Sequence, residues 1–232
     1  MKDIIACSGG KDSTALALLL HDRGVPCDLF WTSTGNEPPG VEEHITRLAA
    51  ATGARLITPP APTLFDVIEQ ERMLPNFRAR FCTRQIKIEP CIAWFREHGA
   101  GITLHVGLRA DEPEREGIYD EMVERRFLLR EVGWDVEDVI GFVKARGWEP
   151  PHRTDCMLCP MQRLGDWAWL LATHPEEYQR GIDLEDQLGH TFRSPRRDTW
   201  PAGLRDLAAE FAKGRAVPTR VIEHRPCRVC TL

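Results

Sequence analysis

The sequence has no apolar run approaching the roughly 20 residues that cross a bilayer. Its first residues show no signal-peptide pattern, because a short apolar run turns at once to glycine and charge. It also has no excess of basic residues, since 30 Lys and Arg stand against 35 Asp and Glu, for a net charge of −5. We therefore expect a cytoplasmic protein without a membrane partner, and we expect any polyanion binding to be local.

With 8 cysteines in 232 residues, the chain is too poor in cysteine for a disulfide scaffold, and its 8 histidines form no HxxxH or HExxH pattern. Four cysteines form two CxxC pairs, Cys156 with Cys159 and Cys227 with Cys230. Four thiolates in this form suit tetrahedral zinc, so the pairs predict metal or redox chemistry. The other cysteines on apolar strand or helix positions are interpreted as buried small side chains: Cys7, Cys27 and Cys91.

Strand-like and helix-like segments alternate through the first half of the chain. Strands are predicted near residues 3–7, 28–34, 54–58 and 102–108, and helices near 12–23, 41–52 and 84–98. Beyond about residue 130 only helices are predicted, near 136–146, 164–173, 175–187 and 201–213. This alternation predicts an α/β fold with a mostly parallel sheet and ligands at the carboxyl ends of its strands. We expect a nucleotide-binding core over 1–133 and a helical, cysteine-bearing extension over 134–232.

A glycine-rich turn separates the first strand from the first helix. It consists of Ser8, Gly9, Gly10, Lys11, Asp12, Ser13 and Thr14. Glycines let the backbone approach an anion, and the N–H groups of a helix N-terminus favour phosphate, as do serine and threonine hydroxyls. The turn is not a Walker A loop, because Asp12 follows the lysine where Ser or Thr is required, and it is not GxGxxG. It predicts a phosphate cradle, against the plainer interpretation of a capped helix.

The segment SGGKDST resembles the pyrophosphate loop of the PP-loop ATP pyrophosphatase superfamily, which includes GMP synthetase and tRNA thiolases. Three further segments resemble motifs of its phosphoadenosine phosphosulfate (PAPS) reductase-like group: STGNE at 33–37, FCTRQIKIEP at 81–90 and GLRADE at 107–112. Ser33 stands where that group carries Asp. The Glu-Cys-Gly-x-His motif of true PAPS and adenylylsulfate reductases is absent, whereas the loop is intact. The resemblance implies a Rossmann-like, adenine nucleotide alpha hydrolase-like core that cleaves ATP.

The resemblance implies cleavage of ATP to AMP and pyrophosphate with Mg²⁺, adenylylation of an acceptor, and sulfur transfer. The expected catalytic residues are Lys11, Asp12 and Arg109, with Asp12 as a candidate Mg²⁺ ligand. The expected nucleotide-binding residues are Ser8, Gly9, Gly10, Lys11, Asp12, Ser13, Thr14, Thr34, Gly35, Lys87, Gly107 and Arg109. For Arg109 and Lys87 an ordinary surface salt bridge is the alternative. The acceptor stays open between nucleic acid and a small molecule, and a sulfur-donor protein is an expected partner.

Several members of the resembled group, including DNA phosphorothioation enzymes, hold a [4Fe-4S] cluster through four cysteines of this general pattern. The resemblance therefore implies Cys82, Cys156, Cys159 and Cys230 as ligands, with Cys227 as a substitute for Cys230. Zn²⁺ remains the alternative metal. Two other functions stay open: a thiol-dependent PAPS or adenylylsulfate reductase that uses Cys227 and Cys230, and a non-catalytic, zinc-stabilised nucleotide-binding module.

Two groups of arginines are candidates to line a groove for a phosphorylated or nucleic-acid substrate. They are Arg78, Arg80 and Arg84 in one group and Arg193, Arg196 and Arg197 in the other. Solvated arginines are the plainer interpretation.

Overall fold

The computed structural model describes residues 2–115 and 123–218. Five strands form one sheet: β1 (Lys2–Ala6), β2 (Cys27–Phe30), β3 (Leu56–Ile57), β4 (Ile102–His105) and β5 (Glu124–Arg126). The described helices are α1 (Lys11–Asp22), α2 (Val41–Thr52), α3 (Leu64–Glu71), α4 (Glu89–His98), α5 (Leu128–Glu131), α6 (Val136–Ala145), α7 (Leu164–Thr173), α8 (Pro175–Leu188) and α9 (Leu204–Ala212), and a π-helical segment (Thr83–Ile88) leads into α4. Within this described part, no helix is long and apolar enough to cross a membrane.

The sheet has the strand order β3-β2-β1-β4-β5, and every neighbouring pair is parallel. The order reverses at β1, because the chain first builds outward through β2 and β3 and then returns to the other side of β1 with β4. In open parallel sheets such a reversal opens a crevice at the carboxyl ends of the two central strands, where ligands bind. The predicted α/β class is confirmed, and the crevice lies between the ends of β1 and β4.

Successive residues of the strands point to opposite faces, and both faces are covered. Ile5 and Leu29 belong to a buried cluster with side chains of α1, α2 and α6. Ile4 and Phe30 belong to a second buried cluster that includes Phe95 of α4. Burial on both faces explains why the central strands β1 and β2 carry adjacent apolar residues, Ile4–Ile5 and Leu29–Phe30. Because α6 packs in the same cluster as α1, packing continues across the predicted boundary between 1–133 and 134–232.

The C-terminal helices form a third apolar cluster together with elements from the first half of the chain. Trp167 of α7, Tyr178 of α8 and Leu207 of α9 are buried with Leu64 of α3 and Ile86 of the π-helical segment. The predicted helical extension is therefore present in the described residues, and it packs on α3 and on the segment that begins just after Cys82.

Candidate active site

The predicted phosphate cradle is the turn between β1 and α1. Gly9 has a φ of 73°, a left-handed conformation that glycine adopts without strain. The Ser13 hydroxyl donates to the Gly10 carbonyl at 3.1 Å and accepts from the Ser8 N–H at 3.3 Å. Helix α1 begins without a side-chain cap, so no side chain satisfies the N–H groups of its first turn. An uncapped helix N-terminus beside two serine hydroxyls is suited to bind an anion.

Thr14 points away from this turn. Its side chain is buried, and its Oγ1 shares a hydrogen bond of 2.8 Å with Nε2 of His44 on α2. Burial, together with the charge of Arg47, lowers the pKa of His44 to about 4, so the imidazole is neutral near pH 7. Thr14, expected to bind nucleotide, therefore contacts the core in this structure. Sequence reasoning missed His44, which belongs to no motif.

Gly107 brings the predicted Gly-x-Arg-x-Asp-Glu segment against the turn. A Cβ at this position would lie 3.1 Å from the carbonyl carbon of Asp12 and 3.2 Å from the backbone N of Ser13. Both neighbours are backbone atoms, which cannot rotate away, so a Cβ at this position would push the two segments apart by a few tenths of an ångström. The two segments that the sequence analysis singled out, 8–14 and 107–112, thus meet at the crevice between β1 and β4.

Arg109 is the centre of a charged network beside the turn. Its side chain is 3% exposed, and Nη1 donates to both carboxylate oxygens of Asp12 at 3.0 Å. Its Nε and Nη2 donate to the two carboxylate oxygens of Asp111 at 2.8 and 3.0 Å, and Nη1 lies 3.5 Å from Oε2 of Glu112. Lys11 Nζ donates to Asp12 Oδ2 at 2.8 Å. Asp12 is therefore shared by two cations, and Arg109 faces carboxylates in this state.

The electrostatics of this network hold Arg109 as a fixed cation. Burial disfavours the guanidinium charge, but hydrogen bonds and charges from Asp111 and Asp12 outweigh it and raise the pKa of Arg109 above its ordinary value. In turn, the hydrogen bonds from Arg109 lower the pKa of the Asp111 carboxyl. With Lys11, Glu112 and Arg115 included, three basic groups stand against three acidic ones, since Arg115 Nη1 lies 2.8 Å from Oε1 of Glu112. The carboxylates beside the turn would still repel a triphosphate unless a divalent cation lies between them.

Arg130, which sequence reasoning missed, organises the loop that follows Arg109. Its Nε donates to the Arg109 carbonyl at 3.3 Å, and its Nη2 donates to the carbonyls of Glu112 and Arg115, the latter at 2.6 Å. Arg130 lies 21 residues after Arg109 in the chain and belongs to none of the motif segments. Only the folded chain shows that it positions this loop.

The segment STGNE forms a compact turn after β2. Glu37 accepts hydrogen bonds from the Ser33 hydroxyl at 3.0 Å, from the Thr34 N–H at 2.5 Å and from the Thr34 hydroxyl at 2.8 Å. Gly35 has a φ of 66°, and a Cβ there would lie 2.8 Å from Cγ2 of Thr63. Ser33 replaces the Asp of the resembled group, and it lies against a carboxylate supplied by Glu37.

Asn36 joins this turn to the CxxC loop and to α8. Its Oδ1 accepts from the Leu158 N–H at 2.9 Å, and its carbonyl accepts from the Met157 N–H at 2.7 Å. Its Nδ2 donates to Glu177 of α8 at 2.6 Å. Just before the CxxC loop, Thr154 Oγ1 lies 3.5 Å from where a Cβ on Gly10 would stand. The CxxC loop is thus held beside the glycine turn.

Three of the predicted metal ligands are neighbours. A hydrogen bond with Cys159, followed by burial, raises the pKa of Cys156 well above its ordinary value, and the Cys82 thiol adds to the effect. Burial and then the charge of Cys159 raise the pKa of Cys82, while nearby Lys87 lowers it. Even so, no three Cys, His, Asp or Glu side chains within residues 2–115 and 123–218 are arranged closely enough to hold a metal ion. Cys227 and Cys230 lie outside the described residues.

The isolated cysteines have surroundings of a different kind. Cys91 is buried in α4, and burial raises the pKa of Cys7 to about 11 and that of Cys27 to about 12. All three thiols belong to the apolar clusters on the faces of the sheet, away from the CxxC loop, as expected for buried small side chains.

Fold and site together define a parallel α/β protein with a glycine-rich turn at the reversal point of its sheet. Residues 2–128 match the family model described as the phosphoadenosine phosphosulfate reductase domain, and the chain belongs to this family. The family places it in a nucleotide-related group of sulfur-transfer and reductase proteins.

Two individual proteins illustrate the range of the similarity. An uncharacterized 37.8 kDa protein of Escherichia phage 186 is 22% identical, with 79% of this chain and 74% of the phage protein covered. The PAPS reductase of Candida auris, solved as a phosphate complex, superimposes with a TM-score of 0.53 at 15% identity, covering 65% of this chain and 75% of that one. At 15% identity, the similarity to the Candida auris protein shows a shared fold and nothing more.

Proposed function

We propose that this protein cleaves ATP to AMP and pyrophosphate at the glycine turn, and that it thereby adenylylates an acceptor for sulfur transfer. The observation that carries the proposal is the N-terminus of α1. It has no side-chain cap, and its first two residues are Lys11 and Asp12, of which Asp12 is paired with Arg109. An uncapped helix end supplies donors for phosphate oxygens, and the neighbouring Asp12 carboxylate suits a phosphate that arrives with a divalent cation.

In the proposed reaction an acceptor oxygen attacks the α-phosphorus of ATP. The new P–O bond forms as the bond to the β-phosphate breaks, pyrophosphate leaves, and the acceptor proton passes to solvent. Bound Mg²⁺ supplies the charge that offsets the negative leaving group. Ser8, Ser13 and the first N–H groups of α1 donate to phosphate oxygens, and Lys11 adds a point charge. Arg109 acts as a positioning residue, because its guanidinium holds Asp12 in place.

We further propose a [4Fe-4S] cluster bound by Cys82, Cys156, Cys159 and Cys230, with Cys227 as the substitute fourth ligand. Two thiols on the CxxC loop, which Asn36 ties to the turn, support this donor set together with the nearby Cys82, and such donors suit a thiophilic metal centre. Such a cluster supplies an iron site able to accept or deliver sulfur. Zn²⁺ on the same cysteines is the alternative, and iron, acid-labile sulfide and zinc analysis distinguishes the two.

The family match favours one second candidate, a thiol-dependent reductase of PAPS or adenylylsulfate that uses Cys227 and Cys230. This reaction needs no ATP cleavage and releases sulfite. Sulfite release from either compound would support it, whereas pyrophosphate release from ATP would support the first proposal. Tight ATP binding without any turnover would instead indicate a nucleotide-binding module.

The test is pyrophosphate release from Mg·ATP by the full chain, with sulfate, tRNA and single-stranded DNA supplied in turn as acceptors. We expect Asp12→Ala to abolish release while circular dichroism shows an unchanged fold. The matched control is Asp22→Ala, which removes a carboxylate from the other end of α1, where Asp22 pairs with Arg146. Wild-type release by the Asp12→Ala variant would refute the mechanism.

A further inference from the structure

One stretch of this acidic chain has the opposite charge. Between residues 72 and 88 the sequence holds five basic residues and no acidic one. They are Arg72, Arg78, Arg80, Arg84 and Lys87. The rest of the chain has 25 basic and 35 acidic residues, so this strip, which we call the basic strip, is a local positive feature on a negative protein.

The basic strip also presents an aromatic ring to solvent. Phe77 is 67% exposed and is the one large apolar side chain with high exposure among the described residues. It stands at the tip of a tight turn, in which Asn76 Oδ1 accepts from the Arg78 and Ala79 N–H groups, both at 2.9 Å. Leu74 and Phe81 on either side are buried in the C-terminal cluster. The turn is thus anchored at both ends and holds the ring outward.

The cations beside this ring differ from the other arginines singled out in the sequence. Arg72 and Arg78 are exposed, and neither forms an ion pair with another residue of the described part. Arg193, by contrast, is 1% exposed and donates to the Asp198 carboxylate, so its role is structural. Arg196 and Arg197 of the second group are also exposed, and Arg84 of the basic strip is paired with Glu89. Within the described residues, however, the basic strip is the surface that combines exposed cations with an exposed aromatic ring.

The basic strip leads directly towards the candidate site. Cys82 lies five residues beyond Phe77, and the π-helical segment Thr83–Ile88 follows it. Single π-helical turns occur often at functional sites.

We propose that the basic strip binds single-stranded nucleic acid, with a base stacked on Phe77 and backbone phosphates on Arg72 and Arg78. A protruding ring needs an unstacked base, which single strands offer and duplexes do not. Flanking guanidinium groups supply the sequence-independent attraction to phosphate. This inference rests on the proposed function and assigns its acceptor to one chemical class.

The experiment measures binding of a fluorescein-labelled oligothymidylate of about 12 nucleotides to the full chain by anisotropy, between about 50 and 200 mM salt. Phe77→Ala should weaken binding about 5- to 150-fold, the range expected for one stacked base, and Phe77→Trp should retain it. Arg78→Gln should flatten the dependence of log affinity on log salt by about 0.7, the contribution of one phosphate contact. Arg96→Gln, a neutralised exposed arginine of α4 outside the basic strip, is the matched control and should change neither quantity.

The inference would be overturned if wild type and Phe77→Ala bound the oligothymidylate with equal affinity. It would also be overturned if duplex DNA and inorganic polyphosphate bound as tightly as the oligothymidylate, with no effect of Phe77→Ala. The same preparations are assayed for pyrophosphate release from ATP. Oligonucleotide binding without pyrophosphate release would refute the proposed ATP cleavage but support nucleic-acid binding by the basic strip. Pyrophosphate release without oligonucleotide binding would refute nucleic-acid binding by the basic strip and leave the proposed ATP cleavage standing.

Discussion

Replacing Arg109 by methionine tests whether the charged network beside the glycine turn stabilises the fold. The substitution keeps an unbranched side chain of similar length but removes all five N–H donors. Asp12 and Asp111 lose the hydrogen bonds of 2.8–3.0 Å that they accept from the guanidinium. Glu112, whose side chain is 8% exposed, loses the cation 3.5 Å from its carboxylate but keeps Arg115 at 2.8 Å.

The expected cost follows from burial. Removing one partner of a buried ion pair costs about 3–5 kcal/mol where the remaining charge is left uncompensated. Here Asp12 keeps Lys11 at 2.8 Å, Glu112 keeps Arg115 at 2.8 Å, and the Asp111 side chain is 39% exposed, so we expect a smaller loss of about 2 kcal/mol. In a chain of this size that loss lowers Tm by about 4–8 °C.

The measurement is urea unfolding followed by the fluorescence of the 7 tryptophans. The loss should also depend on pH with a definite sign. Because Arg109 lowers the folded-state pKa of Asp111, the stability it contributes is present above the unfolded value of about 4 and is lost as pH falls through the lowered folded value. The difference between wild type and variant should therefore be full at pH 7 and shrink below about pH 4.

Arg205→Met is the matched control. Arg205 lies 2.5 Å from the Asp186 carboxylate, which is closer than Arg109 lies to any of its carboxylate partners. However, the side chains of Arg205 and Asp186 are 64% and 59% exposed. An exposed pair contributes less than about 1 kcal/mol. If Arg109→Met destabilises the protein no more than Arg205→Met does, burial does not strengthen this network and the reasoning fails.

Two further predictions concern the metal centre and the approach of β4 to the turn. Cys156→Ala should lose the bound iron or zinc, whereas Cys91→Ala, which removes a buried thiol from α4, should keep it; unchanged metal content in the first variant, measured by elemental analysis, would exclude Cys156 as a ligand. Gly107→Ala should cost about 1–3 kcal/mol and weaken ATP binding, measured by calorimetry, because its Cβ would press on the backbone of the turn 3.1 Å away. Gly141→Ala in α6, where a Cβ meets nothing within 4 Å, should instead stabilise the protein by about 0.5–1 kcal/mol, and similar effects in the two glycine variants would contradict the close approach.

Local patterns were enough to predict most elements of the fold. Helices α2 (Val41–Thr52) and α7 (Leu164–Thr173) begin and end at the predicted residues, because an apolar face with a period of 3.6 is a property of the segment itself. Strand β5 (Glu124–Arg126) was missed, since three polar residues at a sheet edge carry no apolar signal. Helix α3 was not predicted, because the proline cluster before it indicated a break in regular structure. The capping box of Thr63 and Asp66 nevertheless marks its start.

The α/β class, the glycine turn and the three motif segments could be predicted from the sequence, because each depends on residues close together in the chain. Which of these segments meet could be seen only in the folded chain. The approach of Gly107 to Asp12, the burial of Thr14 against His44, and the tie from Asn36 to the CxxC loop each join residues 30 or more positions apart. Such contacts depend on strand order and helix packing, and the order β3-β2-β1-β4-β5 places β1 and β4 side by side. That adjacency makes one site out of motifs that are separate in the sequence.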